Sequence, residues 1–421
     1  MSHGHGHGSH AAHSAAPSDR RARAVLMLFL ALVAVGTLSG LAALWPSADD
    51  LPDRVAYAAE GVTFVDAEVT VVEEACPVIV VGPDMPQTGE ADQEFPENCN
   101  SLVAAVASGP EEGQELRVQA EAGVVRSGLE PGDDISLMRF PPAAEAEAPV
   151  YAFSHVHRGT PLVAMTVLFV VVVAVVARLR GILALVGLGF AAAIVWWFVL
   201  PGLLAGENGI AVAVVGSVLI MYVVLYLAHG PSVRTSTALA GTLLALAVTA
   251  ALGAWAVGAV RLSGLSNEDG EFLQLYADNL DFRALLTAGI IIAGLGVLND
   301  VTITQASAVF ELRAAAPTMT RRELFGSGMR IGRDHIASTI YTIVFAYAGT
   351  ALGLLLLLSL YDRPLGDVLS SDILSEEIVR TLASAIGLVA SVPITTAIAA
   401  ATVTAPEPVV REPAAAGEPS A

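Results

Sequence analysis

Apolar residues along the chain gather into eight blocks, at roughly 24–45, 160–177, 182–200, 209–228, 236–260, 284–310, 336–360 and 381–403. Each is near the ~20 residues that a helix needs to cross a hydrocarbon core. The sixth block is the least regular. Its apolar run, 284–298, makes only about 22 Å of helix, short of the ~30 Å core, and stops at Asn299–Asp300. Either the amphipathic half at 301–311 completes the crossing inside a bundle, or the helix breaks at Asn299–Asp300. A third reading has Asp300 capping a second helix at the cytoplasmic interface, since Asn and Asp are good N-caps. At 100° per residue, Asp300, Thr304, Ser307 and Glu311 fall within about 60° of one another and form one polar stripe. The seventh block repeats the device: Asp334, Ser338, Tyr341 and Thr342 share a face, with His335 and Thr339 beside it.

Between the first and second blocks the pattern changes to short β-rich runs. GVTFVDAEVTVVEE, CPVIVV, NSLVAAVAS, QELRVQAEAGVV and DDISLMRF are separated by Gly, Pro and Asp turns, which suits a small antiparallel, OB-like barrel. The fold class expected is therefore mainly α. It is a polytopic membrane protein of about eight transmembrane helices, with a β-rich extracytoplasmic domain inserted after the first helix. The divisions are a His-rich disordered tail (1–23), the first transmembrane helix (24–45), the β-rich domain (46–158), a seven-helix membrane domain (159–403) and a disordered tail (404–421).

Composition supports this class. The chain is 54% hydrophobic over 421 residues with a mean hydropathy of +0.65. The first block reads as an uncleaved anchor rather than a signal peptide, because its apolar core is long and Leu44-Trp45-Pro46 makes a poor cleavage site. All 21 basic residues are Arg. They concentrate at Arg20/Arg21/Arg23, Arg178/Arg180, Arg234, the five between Arg313 and Arg333, and Arg411. The positive-inside rule then puts both termini in the cytoplasm of a plasma-membrane protein and residues 46–158 outside. That insert holds 22 Asp/Glu against 5 Arg, so nucleic acid is an unsuitable partner. Cys76 and Cys99 are the only cysteines. On the outer side a disulfide is the natural inference; closing about 24 residues contributes about 3 kcal/mol in the loop-entropy model. Two reduced structural thiols are the alternative.

Ionisable groups at membrane depth are expensive and mark functional candidates. The stretch from Gly294 to His335 supplies them: Asn299, Asp300, Thr304, Gln305, Ser307 and Glu311, then Arg333, Asp334, His335 and Ser338. A buried carboxyl beside a titrating imidazole could relay a proton or hold a cation. The same acids could bind a metal and activate water, but no HExxH or GxSxG accompanies them. His3, His5 and His7 lie on a flexible, low-complexity segment whose spacing could chelate a metal, without the fixed geometry of a structural site. Phe272, Leu275, Tyr276 and Leu280 lie on one face of a helix on the membrane surface or in a lid. Thr320 and Glu323 form a capping box. Trp196, Trp197, Tyr222, Tyr226 and Trp255 read as interface anchors.

The run LNDVTITQASAVFEL (298–312), followed by GMRIGRDHIASTIYTIVFAYAGTALGLLLL (328–357), resembles the YibE/F family of multi-pass bacterial membrane proteins, as does the passage His155–Leu162. The resemblance covers about residues 150–403, and a preceding β-rich insert is also what such proteins look like. The His-rich head and the Cys pair are not family features. The resemblance implies a transport-related membrane protein, a permease or transport accessory acting on a small solute or ion in the lipid bilayer, and it leaves any cofactor unknown. The alternative is a non-catalytic sensor or assembly factor that binds a protein partner through the extracytoplasmic domain.

Overall fold

The computed structural model of this chain describes residues 17–52, 56–76, 99–142, 148–266, 268–277, 279–360, 362 and 364–404. They fall into two compact units, Arg54–Val172, and Met1–Asp53 with Val173–Ala421. The His-rich tail with His3, His5 and His7, and the tail beyond Thr404, lie outside the described residues.

The first unit is a curled antiparallel sheet, a half-barrel, of β1 (Thr63–Val72), β2 (Ser101–Val106), β3 (Glu115–Gln119), β4 (Asp134–Phe140) and β5 (Val150–Val156), in the order β3-β2-β1-β4-β5. Period-2 alternation sets its inner face. Val65, Ala67 and Val69 of β1 turn inward with Leu102, Ala104 and Val106 of β2 and with Ile135 and Leu137 of β4. The runs expected at 61–74, 100–108, 114–125 and 133–140 become β1 to β4. The end of the third instead forms a single helical turn, α2 (Ala122–Val125), and CPVIVV lies outside the described residues beyond Cys76. The sequence reading missed β5, because the Pro/Ala/Glu-rich stretch at 141–149 reads as a linker and hides the alternation of Val150, Ala152 and Ser154 after it. Cys76 and Cys99 are bonded to each other, with Cα atoms 4.8 Å apart.

One ionic cluster anchors the loop between β2 and β3. The Arg139 guanidinium donates twice to Glu111, at 2.9 and 2.7 Å, and the Tyr151 hydroxyl donates to the same carboxylate at 2.7 Å. The Arg139 hydrogen bonds, with that from Tyr151, hold the Glu111 carboxyl down at about 2. A carboxyl depressed on folding stabilises the native state above its ordinary range, near 4.5, and that contribution fades as pH falls toward about 2. Hydrogen exchange of β4 and β5 amides between pH 5 and 2 should therefore show a protection loss that is smaller in Glu111→Gln. Equal losses in both proteins would contradict this.

The second unit is helical. Its elements are α1 (Pro17–Ala43), α3 (Gly159–Ile194, begun in the other unit), α4 (Leu200–Leu204), α5 (Gly209–His229), α6 (Val233–Val260), α7 (Glu268–Tyr276), α8 (Phe282–Ala315), α9 (Arg321–Thr350), α10 (Leu352–Ser359), α11 (Leu365–Leu369) and α12 (Asp372–Thr402). Among the described residues six helices are long and apolar enough to cross a membrane; α9 and α10, bent by 66°, count as a seventh if they are one span. The helical run Gly159–Leu204 is interrupted at Arg178, whose φ of 54° and ψ of −138° are not helical. A Cβ on Gly181 would come within 2.6 Å of the Val173 carbonyl oxygen, roughly two turns earlier in the chain, so the chain folds back there.

The packed centre is α6, α8 and α12, where Leu246, Ile291, Leu298, Leu388 and Val392 are buried. Apolar burial offers no gain against lipid tails, so the helices gain by close approach and by hydroxyl bonds. A Cβ on Gly241 would collide with Oγ1 of Thr395, and one on Gly387 with Oγ1 of Thr249. Thr242 and Thr302 share a hydrogen bond of 2.6 Å, Thr237 and Thr402 one of 3.1 Å. Arg23 ties α1 to the end of α12, donating to the Thr402 carbonyl and the Thr404 hydroxyl. Trp196, Trp197 and Trp255 face outward, as interface anchors do. The tyrosines depart from that expectation: Tyr222 donates to the Leu30 carbonyl at 2.6 Å and Tyr226 pairs with Ser236, so both bind helices together.

Candidate functional site

Helix α8 runs unbroken through Asn299–Asp300, because the chain there keeps helical backbone to Ala315. The amphipathic half completes the helix, and neither the break nor the second cap occurs at that point. α9 opens with the expected capping box at Thr320 and Glu323. Arg313 is buried, and its guanidinium donates to the carbonyls of Pro317 and Met319, closing the α8–α9 turn.

Gln305 sets the register of α8 against α9. Its Nε2 donates to the Gly328 carbonyl at 2.8 Å and to Thr396 Oγ1 at 2.7 Å, joining α8, α9 and α12. Small residues allow this: a Cβ at Gly328 would stand 2.9 Å from Val309 and Thr396, and one at Gly332 would collide with Val392. The helices are antiparallel, so five residues back along α8 corresponds to about five residues forward along α9. Val309 meets Gly328 and Gln305 also meets Gly332, so Asn299 and Asp300 lie level with the stretch from Asp334 to Ser338.

They do not all face the same way. Asp300 lies about 140° around α8 from Gln305, and Asp300, Thr304, Arg333, Asp334 and Ser338 are all exposed. Asn299 and His335 are partly buried, and Asn299 Oδ1 and His335 Nε2 are buried atoms with no hydrogen-bond partner. Ser307 is half-buried. Glu311, at the end of the stripe, pairs with Arg234 at 2.9 Å. The structure therefore brings Gln305 and Thr396 into contact, sets Asn299 and His335 toward the packed side, and turns the two aspartates outward. Among the described residues no group of three or more His, Cys, Asp or Glu is placed to hold a metal.

A second polar group was missed. The eighth span was expected to start near 381, but α12 begins at Asp372, so Glu377 and Arg380 belong to a long helix rather than to a loop. They stand 3.8 Å apart, both partly buried. The Arg380 Nε is buried and faces only the Glu377 carboxylate, at 3.8 Å, and one turn deeper the Ser384 hydroxyl is buried beside Tyr347. Glu377 lines a cavity of about 220 Å³ with Val344, Tyr347, Leu355 and Thr381, beneath the bend where α9 stops at Thr350 and α10 starts at Leu352. The signal was available: at helical spacing Glu377, Arg380 and Ser384 share one face of an otherwise apolar run.

Long apolar helices packed through glycines, hydroxyls and a buried amide define a polytopic helical membrane protein. Its sequence matches the family described as YibE/F-like protein over residues 165–405, and the chain belongs to that family. No curated protein and no solved structure matches it.

Proposed function

We propose that this protein moves a small solute or ion across the plasma membrane, or assists a partner that does, along a route that follows α9. The observation that carries the reading is the broken span at Thr350–Leu352, beside a largely apolar cavity into which α12 brings Glu377. Broken helices beside a cavity are a transporter feature; at this bend the backbone itself stays bonded, Ala351 N–H to the Tyr347 carbonyl and Leu355 N–H to that of Ala351. The inner end of the route is the level of Asn299, Asp300, Asp334 and His335; the outer end is Tyr347, Glu377, Arg380 and Ser384. Two buried atoms at the inner end, Asn299 Oδ1 and His335 Nε2, make no hydrogen bond and support it, because leaving them so costs free energy that a purely structural bundle has no reason to bear. The outward-facing aspartates fit this reading as a water-exposed entrance rather than as a buried proton relay.

The topology proposed has eight spans. Splitting Gly159–Leu204 at Arg178 and joining α9 to α10 turns the long helices into eight crossings. By arginine placement both termini are then cytoplasmic and the half-barrel extracytoplasmic. Its five curled strands suit an OB-like, partly open barrel. The second reading, a sensor or assembly factor, draws support from that unit. A cleft of about 240 Å³ opens between the β3 end and β5, lined by Gln119, Glu121, Phe153, His155 and Arg158, as a partner site would be.

Purified protein in liposomes with an internal pH dye, under imposed proton and cation gradients, tests the choice. Wild type should show a flux that Asp300→Asn or Asp334→Asn lowers about tenfold or more at unchanged protein content. If the aspartate variants keep a cellular phenotype that deletion of 60–145 abolishes, the sensor reading holds instead.

A further inference from the structure

A concave cleft of about 440 Å³ lies at the α5–α6 turn, away from α9 and α12. Three separate stretches build it. The fold-back at Arg178 brings Arg180 to one wall. The turn at Gly230 (φ 75°, ψ 161°) and Pro231 ends α5 abruptly, so that His229, the last residue of one helix, and Arg234, in the first turn of the next, line the same cleft. Ser307 and Phe310 of α8 close the floor.

The charges there do not balance. Arg234 gives one NH group to Glu311 and lies over the Phe310 ring, 5.8 Å from its centroid, which leaves the rest of its donors free. Among the described residues, Arg180 and His229 are exposed and have no hydrogen-bond or ion-pair partner. Two guanidiniums and an imidazole thus face one carboxylate. Arginines that only set topology need no shared cavity. Guanidinium forks converging on a concave wall match the geometry of phosphate oxygens. The first turn of α6 forms part of the wall; Ser232 takes the Thr235 N–H, which leaves those of Val233 and Arg234 to face the cleft's end of the helix.

We propose that this cleft binds a phosphate-bearing anion, through Arg180 and Arg234 with His229 at the rim. The volume exceeds that of phosphate alone, which leaves room for a glyceryl or similar substituent resting on Phe310 and Ile303. The anion is either a soluble phosphate compound or the headgroup of an anionic phospholipid, and both supply the same oxygens. The cleft is separate from the solute route, so this assignment does not depend on it.

Full-length protein in zwitterionic detergent should bind inorganic phosphate saturably in titration calorimetry if the source is soluble. In mixed nanodiscs it should retain phosphatidylglycerol over phosphatidylcholine, read by native mass spectrometry, if the source is lipid. In either arm Arg180→Gln, and separately His229→Gln, should weaken binding, the arginine change by about tenfold. Arg322→Gln, an exposed arginine on α9, should leave it unchanged. Absence of binding in both arms, or equal loss in Arg180→Gln and Arg322→Gln, overturns the proposal.

Discussion

Replacing Gly387 with leucine is expected to remove most of the folded protein from the membrane fraction. A Cβ at Gly387 would already fall on Thr249 Oγ1, and the Thr249 Cβ would be 3.2 Å away. Thr249 cannot swing aside freely, because its hydroxyl is bonded to the Ala245 carbonyl at 3.0 Å and the side chain is wholly buried. The added atoms must push α12 from α6, and α8 packs on both. Overpacking of this kind costs about 1–3 kcal/mol for a few methylenes and more where backbone must shift. In lipid no hydrophobic term restores the contact. Gly387→Ala should give an intermediate loss, and Gly289→Ala, where a Cβ meets open space, should give none. Detergent-solubilised thermal melts of the three variants check the order.

The second large effect is expected at Gln305. Changing it to leucine keeps the volume but removes both donated bonds, to the Gly328 carbonyl and to Thr396 Oγ1. The side chain is buried. Unmade buried bonds cost about 1–3 kcal/mol each in soluble proteins, while interhelical bonds within membranes average nearer 0.6 kcal/mol. A loss of about 1–3 kcal/mol in total follows, with α9 loosened against α8 and α12. Gln305→Glu should be worse than Gln305→Leu, since it removes the donor and leaves a carboxyl in the same packed place. A Gln305→Leu protein as stable as wild type would show that the amide does not hold the three helices together.

Much of this was legible in the residues, and the parts that were not have physical causes. Block length revealed the long helices because the bilayer sets a fixed requirement, and the capping box at Thr320–Glu323 was readable because its signal is local. Gln305 lies in the stretch the sequence singles out, and Thr396 lies in the eighth apolar block. That the two would bond across α8 and α12 depended on packing angle, which no spacing encodes. The direction of Asp300 and Asp334 was hidden for the same reason: a polar stripe says which residues share a face, not what the face meets. The break was sought at Asn299–Asp300, where polarity interrupts an apolar run. It occurs instead at Ala351, in an apolar run that holds no charge and only Thr350 beside the break, where Gly349 and Gly353 flank the bend. Glu377 and Arg380 were assigned to a loop because charge is a poor helix marker in a membrane chain.

On the transport reading, the polar groups of α8, α9 and α12 sit in contact with water rather than with lipid or packed side chains. Single-cysteine labelling tests it most directly, because Cys76 and Cys99 are paired and leave no competing thiol. Cysteines at Asn299, Ser338 and Ser384 should react with a small, charged thiol reagent far faster than one at Leu168, an exposed position in an apolar stretch. If all four react equally slowly, α9 lines no aqueous route and the transport reading is contradicted.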